Sequence, residues 1–131
     1  MNRWRLQSVL LAGLLGVPAT VAAQSQVPDS LPARVTARMI SDGKLIYAGR
    51  GVCYACHGQD AVGAMGPNLA DTLWLHSRGD YDGILATILA GVPAQESKSG
   101  IMMPPRGGSA ISDDDARAVA AYIWSLSRAR K

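Results

Sequence analysis

Cys53-Tyr54-Ala55-Cys56-His57 is the stretch on which the reading of this chain turns: two thiols three residues apart, with an imidazole directly after the second, spell C-x-x-C-H. On a helical turn, residues i and i+3 share a face, so both sulfurs can reach the two vinyl groups of one porphyrin and become thioethers. His57 then follows closely enough to swing beneath the ring plane and ligate iron through a ring nitrogen. Two other chemistries use C-x-x-C, namely a redox-active dithiol in a thioredoxin-like fold and half of a zinc site. The dithiol reading needs strands, and the chain has no alternating strand pattern. The zinc reading needs two further ligands, and the only histidines are His57 and His76. No other cysteine occurs in the 131 residues.

Upstream, Arg3 and Arg5 precede an apolar run from Val9 to Val17, then Pro18 and a segment of small residues. This is the layout of a secretory signal, with Val21 and Ala23 placed for cleavage before Gln24. Residues 1–23 are therefore expected to be removed on export. An uncleaved anchor is the alternative, but the apolar run falls short of the ~20 residues that a spanning helix needs. No membrane span is expected in the mature form, and its location is expected to be periplasmic. The precursor carries 13 basic and 10 acidic side chains. Losing Arg3 and Arg5 nearly balances them, so no basic stripe remains to suggest nucleic acid.

Residues 24–36, with Pro28 and Pro32, read as a flexible leader, and residues 37–131 as one domain. A helix is expected from about Gly43 to Arg50, capped by Ser41 or Asp42. The density of glycine from 58 to 68, together with Pro67, predicts loop. A short helical piece holds Trp74 and Leu75, and a longer helix capped by Asp80 carries Tyr81, Ile84, Leu85, Ile88 and Leu89 until Gly91 and Pro93 stop it. Val92 to Ser109 is irregular around Met102 and Met103. The last helix is the clearest, with Ser112 as cap, Asp115 in the capping-box position, and Val119, Ala120, Ile123, Trp124 and Leu126 as its apolar stripe. The fold class is all-α. A domain of this size buries a modest core, and the absence of Phe fits a core completed by a bulky apolar cofactor.

With these motifs in order, the chain resembles the class I c-type cytochromes, in particular the small monohaem bacterial type akin to the haem domains of cbb3-type oxidases. The resemblance spans about Met39 to Leu126. It rests on the early helix leading into C-Y-A-C-H-G, on Gly66-Pro67-Asn68-Leu69, on Met103-Pro104-Pro105-Arg106-Gly107-Gly108, and on the ending Ala121-Tyr122-Ile123-Trp124-Ser125-Leu126. It implies a cytochrome c-like fold of three to five helices around one haem c, bound covalently through Cys53 and Cys56, with no other metal. It also implies axial ligation by His57 and by a Met followed by Pro, which is Met103, with the adjacent Met102 as competitor. Pro67 matches the position whose carbonyl accepts a hydrogen bond from the proximal histidine. Gly43 and Tyr47, with Tyr122, match the family's close helix crossing. Trp74, Arg78, Tyr81 and Arg106 are candidates to approach the haem propionates, as donors that offset buried carboxylate charge. Met65 is expected to pack in a loop, and His76 to be an exposed polar residue.

Such a protein is expected to be an electron carrier rather than an enzyme, exchanging single electrons with a redox protein donor and acceptor such as a membrane oxidase or a dehydrogenase. Two other classes remain open on the residues alone. One is a haem enzyme or a gas- or peroxide-binding protein with a labile methionine, and the other is a purely structural helical module.

Overall fold

A computed structural model describes residues 31–129, so the expected signal and most of the expected leader lie outside the described residues. Four helices follow in order: α1 (Ala37–Ala48), α2 (Tyr54–His57), α3 (Tyr81–Ala90) and α4 (Asp113–Ala129). A tight turn, Pro105–Gly108, with Arg106 and Gly107 both at positive φ, precedes the last of them. The all-α expectation holds, since among the described residues the only β feature is one isolated bridge.

The first helix starts earlier than its sequence suggested. Thr36, extended and outside the helix, accepts a hydrogen bond from the Met39 amide at 3.1 Å and is the true cap. Ser41 lies inside the helix, its hydroxyl donating to the Arg38 carbonyl at 2.8 Å. This back-bonding lets a cap-type residue sit in a helix interior. The end of the expected leader is also docked, because Val35 is buried and Leu31 packs against the core.

Trp74 and Leu75 lie in turns rather than in a short helix. Side chains set these turns: Asn68 Oδ1 accepts from the Ala70 amide, Asp71 Oδ1 from Leu73 and Ser77 Oγ from Gly79. Such local bonds offer the backbone an alternative to the helical ladder. At the start of α4 the expected capping box is complete, with the Asp115 amide donating to Ser112 Oγ at 3.1 Å and the Ser112 amide to Asp115 Oδ2 at 3.2 Å.

α4 packs against α1 and, less extensively, against α3. The α1–α4 crossing is set by Gly43: a Cβ there would lie 1.9 Å from the Ala118 carbonyl oxygen. One turn on, the Tyr47 and Tyr122 rings meet edge to face, with centroids 5.5 Å apart and planes at 65°. Val119, Ile123 and Trp124 of α4 join Ile84, Leu85 and Ile88 of α3 in the same core. Each such large side chain contributes about 1.5–3 kcal/mol on burial. Arg50, just past α1, reaches Asp115 and ties the end of α1 to the beginning of α4.

Candidate functional site

The segment between α1 and α2 presents the two thiols. Val52, immediately before Cys53, holds φ +53°, a conformation that a β-branched residue rarely adopts. From there, one helical turn carries Cys53, Cys56 and His57 to the wall of a single cleft. Both cysteines are free. Burial pushes the Cys53 thiol up from its ordinary pKa, and its Sγ lies 3.4 Å from the Gly51 carbonyl. Cys56 is exposed.

His57 is buried, at 7% exposure. Its Nδ1 lies 2.9 Å from the Pro67 carbonyl. That oxygen can only accept, so Nδ1 carries the proton and Nε2 keeps its lone pair free for a metal. The loop that brings Pro67 there is tied back to the helical turn. The Gly66 amide donates to Cys56 O, and the Gly63 amide to His57 O, both at 2.8 Å. A Cβ on Gly66 would stand 2.9 Å from both Nδ1 and Cε1 of His57, so the ring can pack against the loop only because Gly66 is bare.

Tyr47 supports the same turn from α1, its hydroxyl donating to the Gly58 carbonyl at 2.7 Å. Burial first, then the neighbouring Cys53, Tyr122 and Asp60, raise its phenol far above the ordinary range, so it remains a neutral donor. Tyr47→Phe should therefore lower folding stability by about 0.5–1.5 kcal/mol, because it removes one of the two hydrogen bonds to the Gly58 carbonyl and leaves that from the Ala61 amide. Chemical denaturation of the two proteins checks this.

The cleft encloses about 1220 Å³ of space, part of it open to solvent. Its floor is apolar, formed by Ile84, Ile88, Val119 and Ile123 from α3 and α4. Met102 and Met103 line it as well. Met103 is half-buried and packs against the core, whereas Met102 is 55% exposed. Met65 and His76, both exposed, also border the cleft. Among the described residues, no group of three or more His, Cys, Asp and Glu side chains is placed to hold a metal ion.

Of the four side chains expected near propionates, the cleft brings together two. Trp74 lines it, wedged against Gly79, where a Cβ would lie 2.0 Å from Nε1. Arg106 lines it too, but its guanidinium donates to Asp113 Oδ1 at 2.5 Å, so its charge is already partnered. Tyr81 and Arg78 do not line it. Tyr81 is the first residue of α3 and is buried in the core. The charges acting on its phenol are those of Arg117, Asp82 and Arg34, which all lie off the cleft. Arg78 is exposed in the turn closed by Ser77.

The donor set fits a haem. Two free thiols stand one turn apart, an imidazole has one nitrogen committed and the other available, and a methionine thioether lines the same cleft with an apolar set of side chains. A family model described as cytochrome c oxidase, cbb3-type, subunit III matches residues 38–123.

The chain belongs to that family.

A cbb3-type cytochrome c oxidase subunit CcoP from Rubrivivax gelatinosus is 39% identical over 88 residues, covering 66% of this chain and 26% of the relative. Subunit FixPc from Rhizobium leguminosarum bv. viciae is 34% identical over 116 residues, covering 80% and 40%. The chain thus spans only about a quarter to two fifths of the length of these relatives. The fold is also that of cytochrome cL from Methylophaga aminisulfidivorans MPT, with TM-score 0.52 at 23% identity over 66% of this chain and 52% of that one. The expected family and its cytochrome c-like fold are therefore both observed.

Proposed function

We propose that this chain carries one haem c through thioether bonds from Cys53 and Cys56, with His57 and Met103 as axial ligands, and passes single electrons between redox proteins. One observation carries the reading: the two thiols, the buried imidazole with its free nitrogen and the half-buried Met103 all face one apolar cleft. Membership of the cbb3 subunit III family supports it.

When bound, the haem iron supplies a reversible one-electron couple. The chain's own residues hold and tune it. Pro67 fixes the tautomer and plane of His57 through the bond at Nδ1, which keeps Nε2 aimed and basic. The apolar floor from α3 and α4 excludes water and lowers the local dielectric. The thioether of Met103 favours the reduced state. With His57 and Met103 both holding the iron, no position would be left there for a substrate.

An oxidase of the cbb3 type is the partner class that the relatives' names suggest, as acceptor, with a second redox protein as donor. The N-terminal pattern supports export to the periplasm, where such attachment chemistry takes place. No helix among the described residues is long and apolar enough to cross a membrane.

The expected result is a protein that keeps its haem colour on a denaturing gel and titrates reversibly as a single one-electron couple. Haem lost on denaturation would remove the covalent reading. A ferrous form that binds carbon monoxide readily would replace the carrier with a gas-binding protein.

A further inference from the structure

Helix α3 ends at Gly91, with φ +73°, and the chain turns directly into the segment that meets the methionine loop. A Cβ at Gly91 would lie 2.4 Å from the Met103 carbonyl oxygen, 2.8 Å from the Pro105 nitrogen and 2.9 Å from the Pro104 carbonyl carbon. All three are backbone atoms, two of them in consecutive prolines whose φ is fixed, so the loop has little freedom to retreat. The next residue, the buried Val92, makes a reciprocal antiparallel bridge with Met103. Its amide donates to Met103 O at 2.7 Å, and the Met103 amide donates to Val92 O at 2.9 Å.

Pairing of this kind sets register, and neighbouring residues on an extended strand face opposite sides. The bridge takes Met103 and leaves Met102 beside it, in keeping with their burial: Met103 packs against the core and Met102 is more than half exposed. A slip of one residue would exchange them.

We infer that Gly91 is a positioning residue that selects Met103 over Met102 as the sulfur presented to the iron. It does so by admitting the Met103–Pro105 backbone to bridging distance of Val92. The inference deepens the proposed His/Met ligation and rests on it.

The test uses the holoprotein and the weak far-red absorption band that reports an iron–thioether bond in the oxidised state. Gly91→Ala adds both the Cβ and left-handed strain. Gly91→Asn adds a larger polar side chain at the same backbone, whose φ of +73° and ψ of −172° are essentially confined to glycine, so both variants carry strain as well as the contact. Both should keep covalent haem and helical content but lose Met103 as the bound sulfur: either the band disappears and the ferrous form binds carbon monoxide at least tenfold faster than the unaltered protein, or a one-residue slip brings in Met102 and the band then disappears when Met102→Ala is added. Retention of the band in either variant, abolished by adding Met103→Ala and not by adding Met102→Ala, would overturn the inference.

Hydrogen exchange on the unaltered holoprotein gives an independent reading that needs no folded variant. The Val92 and Met103 amides should exchange on the order of 100-fold more slowly than that of Met102. Equal rates at Met102 and Met103 would mean that the bridge does not set the register. If the unaltered holoprotein lacks the far-red band while both bridge amides are protected, the ligation reading falls and Gly91 is left with a loop-packing role alone.

Discussion

Gly43→Ala should destabilise the fold by about 3 kcal/mol or more, although it adds one methyl group to a helix whose intrinsic preference would welcome it. A Cβ at Gly43 would stand 1.9 Å from the Ala118 carbonyl oxygen, 2.5 Å from its carbon and 2.9 Å from Tyr122 Cβ. Two of these atoms belong to the α4 backbone and cannot rotate away, so the helices must separate. Separation opens the Tyr47–Tyr122 contact and unseats Val119, which is among the most deeply buried side chains. In a domain whose whole stability is about 5–15 kcal/mol, this is a large fraction.

Gly100→Ala is the matched control. Nothing lies within 4 Å of a Cβ there, and only its φ of +70° opposes the change, so about 1–2 kcal/mol is expected. Denaturant midpoints of the three proteins decide the matter. Equal losses at Gly43 and Gly100 would mean that helix contact is not what Gly43 serves.

Met103→Ala should abolish the far-red iron–thioether band and lower the midpoint by on the order of 0.1 V, since axial ligand identity is a principal setting of haem potential. Met102→Ala should leave both nearly unchanged. The asymmetry follows from placement: Met103 is bridged to Val92 and packs against the core, whereas Met102 lines the cleft with more than half its surface exposed. Covalent haem should survive in both variants, because Cys53, Cys56 and His57 are held by a different loop. Spectra of the oxidised proteins and redox titrations are the measurements. Loss of the band in the Met102 variant and not in the Met103 variant would reverse the assignment.

What was legible in the sequence follows from how locally each feature is determined. α4 could be read in detail because its capping box and apolar stripe lie within one helix. The Gly43–Tyr47–Tyr122 crossing was visible through resemblance, since those side chains have no chemistry that would mark them otherwise. Ser41 and Asp42 offer cap-type side chains that suggest a later start for α1, whereas the residue that caps it is Thr36, where turn signals obscure it. The apolar spacing around Trp74 suggests a helix because turns built by Asp71 and Ser77 leave that spacing intact.

At the site, the thiols, His57 and Pro67 are within 15 residues of one another, and a motif can carry them. Donor chemistry alone points Tyr81 and Arg78 to the propionates and says nothing of which way an element faces; neither residue lines the cleft. The pairing of Arg106 with Asp113 depends on the turn that places one against the other. The Val92–Met103 bridge is a single pair with no alternating pattern around it, so only the folded chain reveals it.

The crossing at Gly43 also orders events in time. Gly43 and Ala118 are about 75 residues apart, so the contact that locks the domain closes a long loop, and its entropic cost cannot be recovered until α4 has formed. During synthesis, Cys53 and Cys56 emerge well before α4, the helix against which α1 and α3 pack. For that interval the two thiols sit on an open chain, and on the proposed reading that is when a haem would reach them unobstructed. The late arrival of α4 thus separates an open phase of the chain from a folded one, in which Cys53 is partly covered and Cys56 stays exposed.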